Sequence, residues 1–251
     1  MRIAPIPPQQ NFKSCLRTYT KPIDRFTEMQ IHTSTWMFRE DMKWMKLLDF
    51  MKKSFQECKN INIYVTAASD GSEAYSLAIL LLENAPELAK KAFPIFASDQ
   101  DLEMVKAFNT GRINLCEEDK NRIKLFTKKI FFTDAQKRIN IPNENGWITW
   151  YDRKAYKPIP ELARAIQYEQ GDILETLKNI KDDGNTLFMC RNAGGYISTY
   201  YVKKICETAQ KVLKKGSLFA IGGTDFISGL PYALPEHGFE EIIKDILYRK
   251  L

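Results

Sequence analysis

The chain is poor in the residues that most metal and redox chemistry uses. Its 251 residues include five cysteines and two histidines. No cysteine pair has the C-x-x-C spacing, and His32 and His237 stand far apart, so no metal site is expected. Cys15, Cys58, Cys116, Cys190 and Cys206 read as reduced, mostly buried thiols. No run of 18 apolar residues occurs, which argues against a membrane span. The opening MRIAPIPPQQNF lacks the apolar core of a signal peptide and reads as a proline-stiffened tail. A cytoplasmic protein without membrane insertion is expected. No basic stripe with exposed aromatics is clear in the sequence either. The net charge is +6, but the lysines fall in scattered pairs, as at Lys52-Lys53, Lys128-Lys129 and Lys214-Lys215. Such pairs read as solvated corners, so no nucleic-acid partner is expected. A mild positive field still favours an acidic partner.

What is present is a regular alternation of strands and helices. Residues 1–32 read as irregular or weakly helical. DMKWMKLLDFMKK then sets Trp44, Leu47, Leu48, Met51 and Phe55 at helical spacing. INIYVTAA (61–68) reads as a buried strand. SEAYSLAILLLENA reads as a helix that buries Tyr75, Ala78, Ile79 and Leu82, with Pro86 at its end. FPIFASD (93–99) and AIQYEQGD are further strands, and helices follow them, the first closed by Gly111. NTLFMCRN (185–192) is a strand before a long helix with Tyr201, Ile205, Ala209 and Val212 inward. SLFAIGG and a single last strand in FEEIIKDILYRKL complete the series. This order implies an α/β fold: an open, mostly parallel sheet with helices on both faces. Residues 112–165 mix a helix, short strands and a Pro-Asn-Glu-Asn-Gly turn (142–146), and read as an excursion from the sheet. The expected organisation is an N-terminal tail and helical segment at 1–57, then one domain at 58–251 with a small insertion around 128–165.

In such sheets ligands bind beyond the carboxyl ends of the strands. Three expected strand ends carry polar residues: Ala68-Ser69-Asp70-Gly71-Ser72-Glu73, Ser98-Asp99 and Cys190-Arg191-Asn192. The first turn lacks the three glycines of a dinucleotide fingerprint and the lysine of a phosphate loop. Asp70 and Glu73 would repel a pyrophosphate and attract an ammonium. Asp99, closing its strand, can accept hydrogen bonds from both hydroxyls of a ribose. S-adenosylmethionine unites a nucleoside with an ammonium and has no phosphate, and the chemistry of these residues points from a dinucleotide toward that cofactor. Read singly, Asp70 and Glu73 also have the spacing of a helix capping box, and Arg191-Asn192 suits a structural loop.

The blocks taken together are more specific. Thr35-Trp36-Met37-Phe38-Arg39-Glu40, the run from Ala68 to Ala78, Phe96-Ala97-Ser98-Asp99, Cys190-Arg191-Asn192 with Tyr196 downstream, and Leu218-Phe219-Ala220-Ile221-Gly222 follow one another in order. With these blocks the chain resembles the CheR-type methyltransferases, which methylate glutamate side chains of chemotaxis receptors with S-adenosylmethionine. The resemblance implies a Rossmann-like class I methyltransferase fold. It implies that Thr33, Thr35 and Arg39 close over the cofactor from the amino-terminal side. Arg39 would hold the cofactor's carboxylate, Glu73 would face its ammonium and Asp99 would hold its ribose. Asp172-Ile173 occupies the place of the family's Asn-Leu contact. Arg191, Asn192 and Tyr196 would line the transfer site, with Arg39 and Tyr196 as the catalytic pair. The implied partner is a protein presenting a glutamate carboxylate, chemoreceptor-like or another signalling protein.

The sequence also departs from the family. Thr33 replaces an asparagine and Ser72 a glutamate, Gly194-Gly195 replaces bulky residues, and Gly223-Thr224-Asp225 stands for His-Ser-Glu. The helical domain that precedes the arginine segment in the family is expected to be mostly absent, with about 35 residues ahead of it. These changes keep two alternatives open: a methyltransferase for a non-protein acceptor, and a catalytically degenerate fold that binds a cofactor or partner.

Overall fold

The structure, a computed structural model, describes residues 35–135, 154–193, 197–223 and 225–251, and the backbone of two-residue strands at 19–20 and 32–33. Those two strands, β1 (Tyr19–Thr20) and β2 (His32–Thr33), pair antiparallel in a stretch read as irregular from the sequence. Tyr196, Cys15, the glycine pair at 194–195 and the turn at 142–146 lie outside the described residues, as does the side chain of Thr33.

Helix α1 (Trp44–Phe55) buries Trp44, Leu47, Leu48, Met51 and Phe55, the stripe expected from the spacing. Strand β3 (Asn62–Thr66) then leads into α2 (Ser72–Asn84). Pro86 does more than end α2. It starts a separate short helix, α3 (Pro86–Ala92), in the first-turn position where proline's fixed φ and missing N–H cost nothing. Next come β4 (Ile95–Asp99), α4 (Leu102–Asn109) and β5 (Ile113–Leu115). Helix α5 (Glu117–Phe126) follows, then β6 (Phe132–Asp134), β7 (Lys154–Pro158) and α6 (Pro160–Arg164). The second half contains β8 (Ile166–Gln170), α7 (Ile173–Asn179), β9 (Thr186–Cys190), α8 (Thr199–Val212) and β10 (Leu218–Ala220). It ends with a 3-10 turn at Asp225–Ser228, α9 (Leu230–Glu236), β11 (Phe239–Ile243) and β12 (Leu247–Lys250).

The single last strand expected at the carboxyl end is therefore a hairpin. Asp245 adopts a left-handed φ of 55° and turns the chain between β11 and β12. An aspartate tolerates that conformation better than most residues, and this is what periodicity alone does not register.

Seven strands form one sheet in the order β11-β12-β10-β9-β3-β4-β8. The pairs β10–β9, β9–β3, β3–β4 and β4–β8 are parallel, while β12 runs antiparallel to both its neighbours. The chain moves from β3 outward through β4 to β8, then returns to β9 on the other side. The switch point of this Rossmann-like sheet thus lies between β3 and β9. A second sheet, antiparallel in the order β5-β7-β6, stands in the excursion.

Alternation along β9 builds both cores. Leu187 and Met189 join the cluster under α1 and α2, while Phe188 and Cys190 join the cluster under α7, α8 and α9. All five residues of β9 are buried, as a central strand covered on both faces requires. Within α8 the inward side is Val202, Ile205, Cys206 and Ala209, while Tyr201 and Val212 are only partly covered. No described helix is long and apolar enough to cross a membrane.

Candidate functional site

The turn after β3 is the most contorted stretch of the backbone. Ala67, Ser69 and Gly71 all adopt left-handed φ, at 52°, 55° and 84°. Non-glycine residues held there gather at ligand sites. A side chain at position 71 would also strike the Phe108 ring, since a Cβ would lie 2.6 Å from it, so glycine is needed for both reasons. The turn is tied to the neighbouring strands. Ala68 N–H donates to the Ser98 carbonyl at 3.0 Å, Ser69 N–H donates to Asp99 Oδ2 at 2.8 Å, and the Tyr168 hydroxyl donates to the Ser69 carbonyl.

Asp70 and Glu73 do not form a capping box. Helix α2 starts from Gly71 with no side-chain cap. Asp70 Oδ1 accepts from the Ser72 amide at 3.0 Å. Glu73 points to the switch point instead, where Arg191 Nη1 donates to its Oε1 at 2.7 Å. Arg191 Nη2 donates to Asp41 Oδ1 at 2.6 Å, and the guanidinium is fully buried beside the Trp44 ring. Asp41 Oδ2 accepts from the Gly223 amide at 2.9 Å, and Arg39 Nε lies 3.8 Å from Oδ1. One aspartate thus ties the segment before α1 to the ends of β9 and β10. The sequence reading missed Asp41. Its two-residue separation from Arg39 was visible, but its partner lies 150 positions away.

Asp225, read from sequence only as a departure, completes this end. Its Oδ2 accepts from the amides of Asn192 at 2.8 Å and Gly222 at 2.7 Å. Asn192 has a left-handed φ of 56°, and a Cβ at Gly222 would fall 2.4 Å from its side-chain nitrogen. The closeness of those two loops explains the glycine.

Two carboxylates sharing one guanidinium titrate differently. Burial works to raise the Asp41 carboxyl, but Arg191, Arg39, the Gly223 amide and Asn192 outweigh it, and it lies below its ordinary value. Burial dominates at Glu73 and lifts its carboxyl above the ordinary range, against the pull of Arg191 and Arg39. A cation arriving at Glu73 would counter that burial.

The other end of the edge lies over β4 and β8. Asp99 closes β4. Its Oδ2 holds the Ser69 amide, and its Oδ1 accepts from the Asp101 amide at 2.8 Å. Asp172 caps α7, with Oδ1 accepting from the amides of Leu174 at 2.8 Å and Glu175 at 3.2 Å. Its Oδ2 accepts from the Gln100 side chain and the Tyr201 hydroxyl, partners that sequence reading did not supply. Ile173 is buried in the core beneath α7 and α8.

The expected residues therefore fall into two groups. Arg39, Glu73, Arg191 and Asn192 meet around Asp41. Asp99, Asp172 and Ile173 stand over β4 and β8. Thr35 is buried ahead of Arg39, and Arg39 stacks its guanidinium 4.2 Å from the Trp36 ring centre. Ser69 Oγ and Ser72 Oγ are buried in the turn without a hydrogen-bond partner among the described residues. Hydroxyls left this way at a strand end leave donors and acceptors for a polar ligand. With acidic groups on the turn and an arginine opposite, the residues fit an amino-acid moiety joined to a nucleoside. Among the described residues no cluster of histidine, cysteine and carboxylate side chains could hold a metal.

The family described as CheR methyltransferase, SAM binding domain, matches residues 33–241. Chemotaxis protein methyltransferase 2 of Pseudomonas aeruginosa is 27% identical over 191 residues, which cover 76% of this chain and 62% of that protein. The chain thus spans less than two thirds of that relative's length. Among solved structures, precorrin-6y C5,15-methyltransferase from Geobacter metallireducens aligns with a TM-score of 0.44 and 11% identity, over 86% of this chain and 93% of that one.

Proposed function

The chain belongs to the CheR methyltransferase family, and from that premise we propose that it moves a methyl group from S-adenosylmethionine to a glutamate carboxylate of a protein. The observation that carries this reading is the convergence of Arg39, Asp41, Glu73 and Arg191 at the switch point, beside the strand-terminal Asp99.

When bound, the cofactor supplies an electrophilic methyl carbon on a sulfonium. In this reading Asp99, at the end of β4, holds the ribose. Asp172 and Ile173 border the adenine. Glu73 and Asp70 face the ammonium. Arg39, with Thr33 and Thr35 on the same segment, closes on the cofactor's carboxylate. Arg191 is fully buried and spends its charge on Glu73 and Asp41, so its part is to hold those two carboxylates in place. Asn192 and Tyr196 border the acceptor, with Arg39 and Tyr196 orienting its carboxylate.

A glutamate with an ordinary pKa of about 4.3 is already ionised at neutral pH. The protein need not remove a proton from it. Its work is alignment of the attacking oxygen and exclusion of water. The partner in this reading is a signalling protein of chemoreceptor type.

The test is incubation of the protein and an extract of its source organism with methyl-tritiated cofactor. Label transferred to protein and released as methanol by mild alkali, and lost with Arg39→Ala or Tyr196→Phe, is the expected result. Alkali-stable label would mean an acceptor other than a carboxylate and overturn this reading.

A further inference from the structure

Helix α1 meets the β11–β12 turn at the carboxyl edge of the sheet beyond β10, where the Ile221 N–H donates to the Ile246 carbonyl at 2.8 Å. Between them lies a groove of about 530 Å³, lined by Lys43, Lys46, Asp49, Phe50, Lys53, Ile242, Ile243, Lys244 and Ile246. Its floor is apolar: Phe50 and Ile242 are half-buried against the core, and Ile243 and Ile246 are buried. Its rim carries four lysines and one aspartate. All four lysines are exposed, and none is held by an ion pair among the described residues. Lys53 sets its ammonium 5.7 Å from the Phe50 ring centre.

We infer that this groove is a docking site for an acidic amphipathic helix of a partner protein. Three observations favour that occupant. The lysines concentrate one sign of charge along a strip, and complementary charge is what steers and orients an incoming partner. From Lys43 to Lys53 the strip runs about 15 Å at the helical rise, the length of a short helical segment and too long for a single small anion. Isoleucine and half-buried phenylalanine on the floor suit leucine-like anchors at helical spacing. A nucleic-acid strand would call for exposed aromatics on which bases stack. Strand addition is disfavoured, because edge strand β11 has a register shift between Glu241 and Ile243 that spoils a straight ladder.

Position adds a consequence. Helix α1 begins directly after Trp36–Asp41, the segment that brings Arg39 and Asp41 to the strand ends. A partner seated in the groove would grip the element that carries that segment, and would lie beside the loop whose Gly223 amide binds Asp41. The inference stands apart from the methyl-transfer reading.

The experiment uses the full chain and a fluorescein-labelled peptide of leucine, alanine and glutamate with leucines at i, i+3 and i+7. Controls are a scrambled peptide, a version with lysine in place of glutamate, and a single-stranded oligonucleotide. The expected result is saturable binding of the acidic helical peptide that weakens as salt rises. Lys46→Glu/Lys53→Glu should reduce affinity by about tenfold or more, and Lys244→Glu by a smaller factor. These positions are exposed, and unchanged thermal unfolding would verify that the variants fold. Absence of peptide binding, equal binding of the lysine or scrambled peptide, affinity unmoved by the variants, or preference for the oligonucleotide would each overturn the assignment.

Discussion

The two ends of the strand-end surface are held together by different means. Over β3, β9 and β10, guanidinium groups hold carboxylates in a buried network running through Arg191, Glu73, Asp41 and Arg39. Over β4 and β8, carboxylates hold backbone amides: Asp99 those of Ser69 and Asp101, Asp172 those of Leu174 and Glu175. A buried ion network fails badly when one partner is removed, because the remaining charge has no water to turn to. A carboxylate that ties amides near solvent can be removed at a smaller structural cost, so recognition there can be separated from folding. The charged end is thus expected to report mainly on stability, the other mainly on affinity.

The sharpest way to break the contrast is Arg191→Leu. It strands the buried Glu73 carboxylate and takes the nearest cation from the partly exposed Asp41, and should cost about 3–5 kcal/mol of stability, read by urea denaturation, with loss of methyl transfer. A variant as stable as wild type would show that the network is not what secures this end.

Asp99→Ala should do the opposite. If Asp99 holds the ribose as proposed, losing its charge-assisted hydrogen bonds to two hydroxyls should cost about 3 kcal/mol, or roughly a hundredfold in cofactor affinity. The freed Ser69 and Asp101 amides should cost stability by only about 1–3 kcal/mol.

Titration sharpens the comparison inside the charged end. Asp41 has a depressed pKa in the folded protein, so its contribution is present above its unfolded value, 3.8, and is lost as pH falls through the folded value. Glu73 is raised, so its contribution is full below 4.5 and is lost as pH rises through the folded value. The stability advantage of wild type over Asp41→Asn should therefore grow from pH 3 to 7, while that over Glu73→Gln should shrink. Each slope is at most about 1.4 kcal/mol per pH unit. Slopes of the same sign would contradict the assignment of the two carboxylates.

The smallest effect is expected from Tyr201→Phe. It removes one donor from Asp172 while the two capping amides remain, and should cost about 0.5–1.5 kcal/mol in thermal unfolding.

How far the sequence could be read depended on distance along the chain. The turn after β3, the acid closing β4 and the Cys190-Arg191-Asn192 end of β9 were all legible, because each is a local consequence of a strand meeting a loop. The sheet followed from alternation of apolar runs. Asp41 was not legible, because its meaning lies in Arg191, 150 residues on. The Asp172–Tyr201 bond spans 29 positions and was hidden for the same reason. Helices α3 and α9 were hidden by proline: Pro86 reads as the stop of α2, and Pro231 and Pro235 interrupt the helical pattern of α9. The β11–β12 hairpin was concealed by a turn made from lysine and aspartate without glycine.

The central claim is that this strand-end surface binds S-adenosylmethionine through Asp99. Calorimetric titration with S-adenosylmethionine and S-adenosylhomocysteine, wild type beside Asp99→Ala, tests it most directly. The account predicts micromolar binding of both ligands by the wild type and its loss in a variant that still unfolds cooperatively. No heat and no thermal stabilisation at millimolar ligand, or equal binding by the variant, would contradict it.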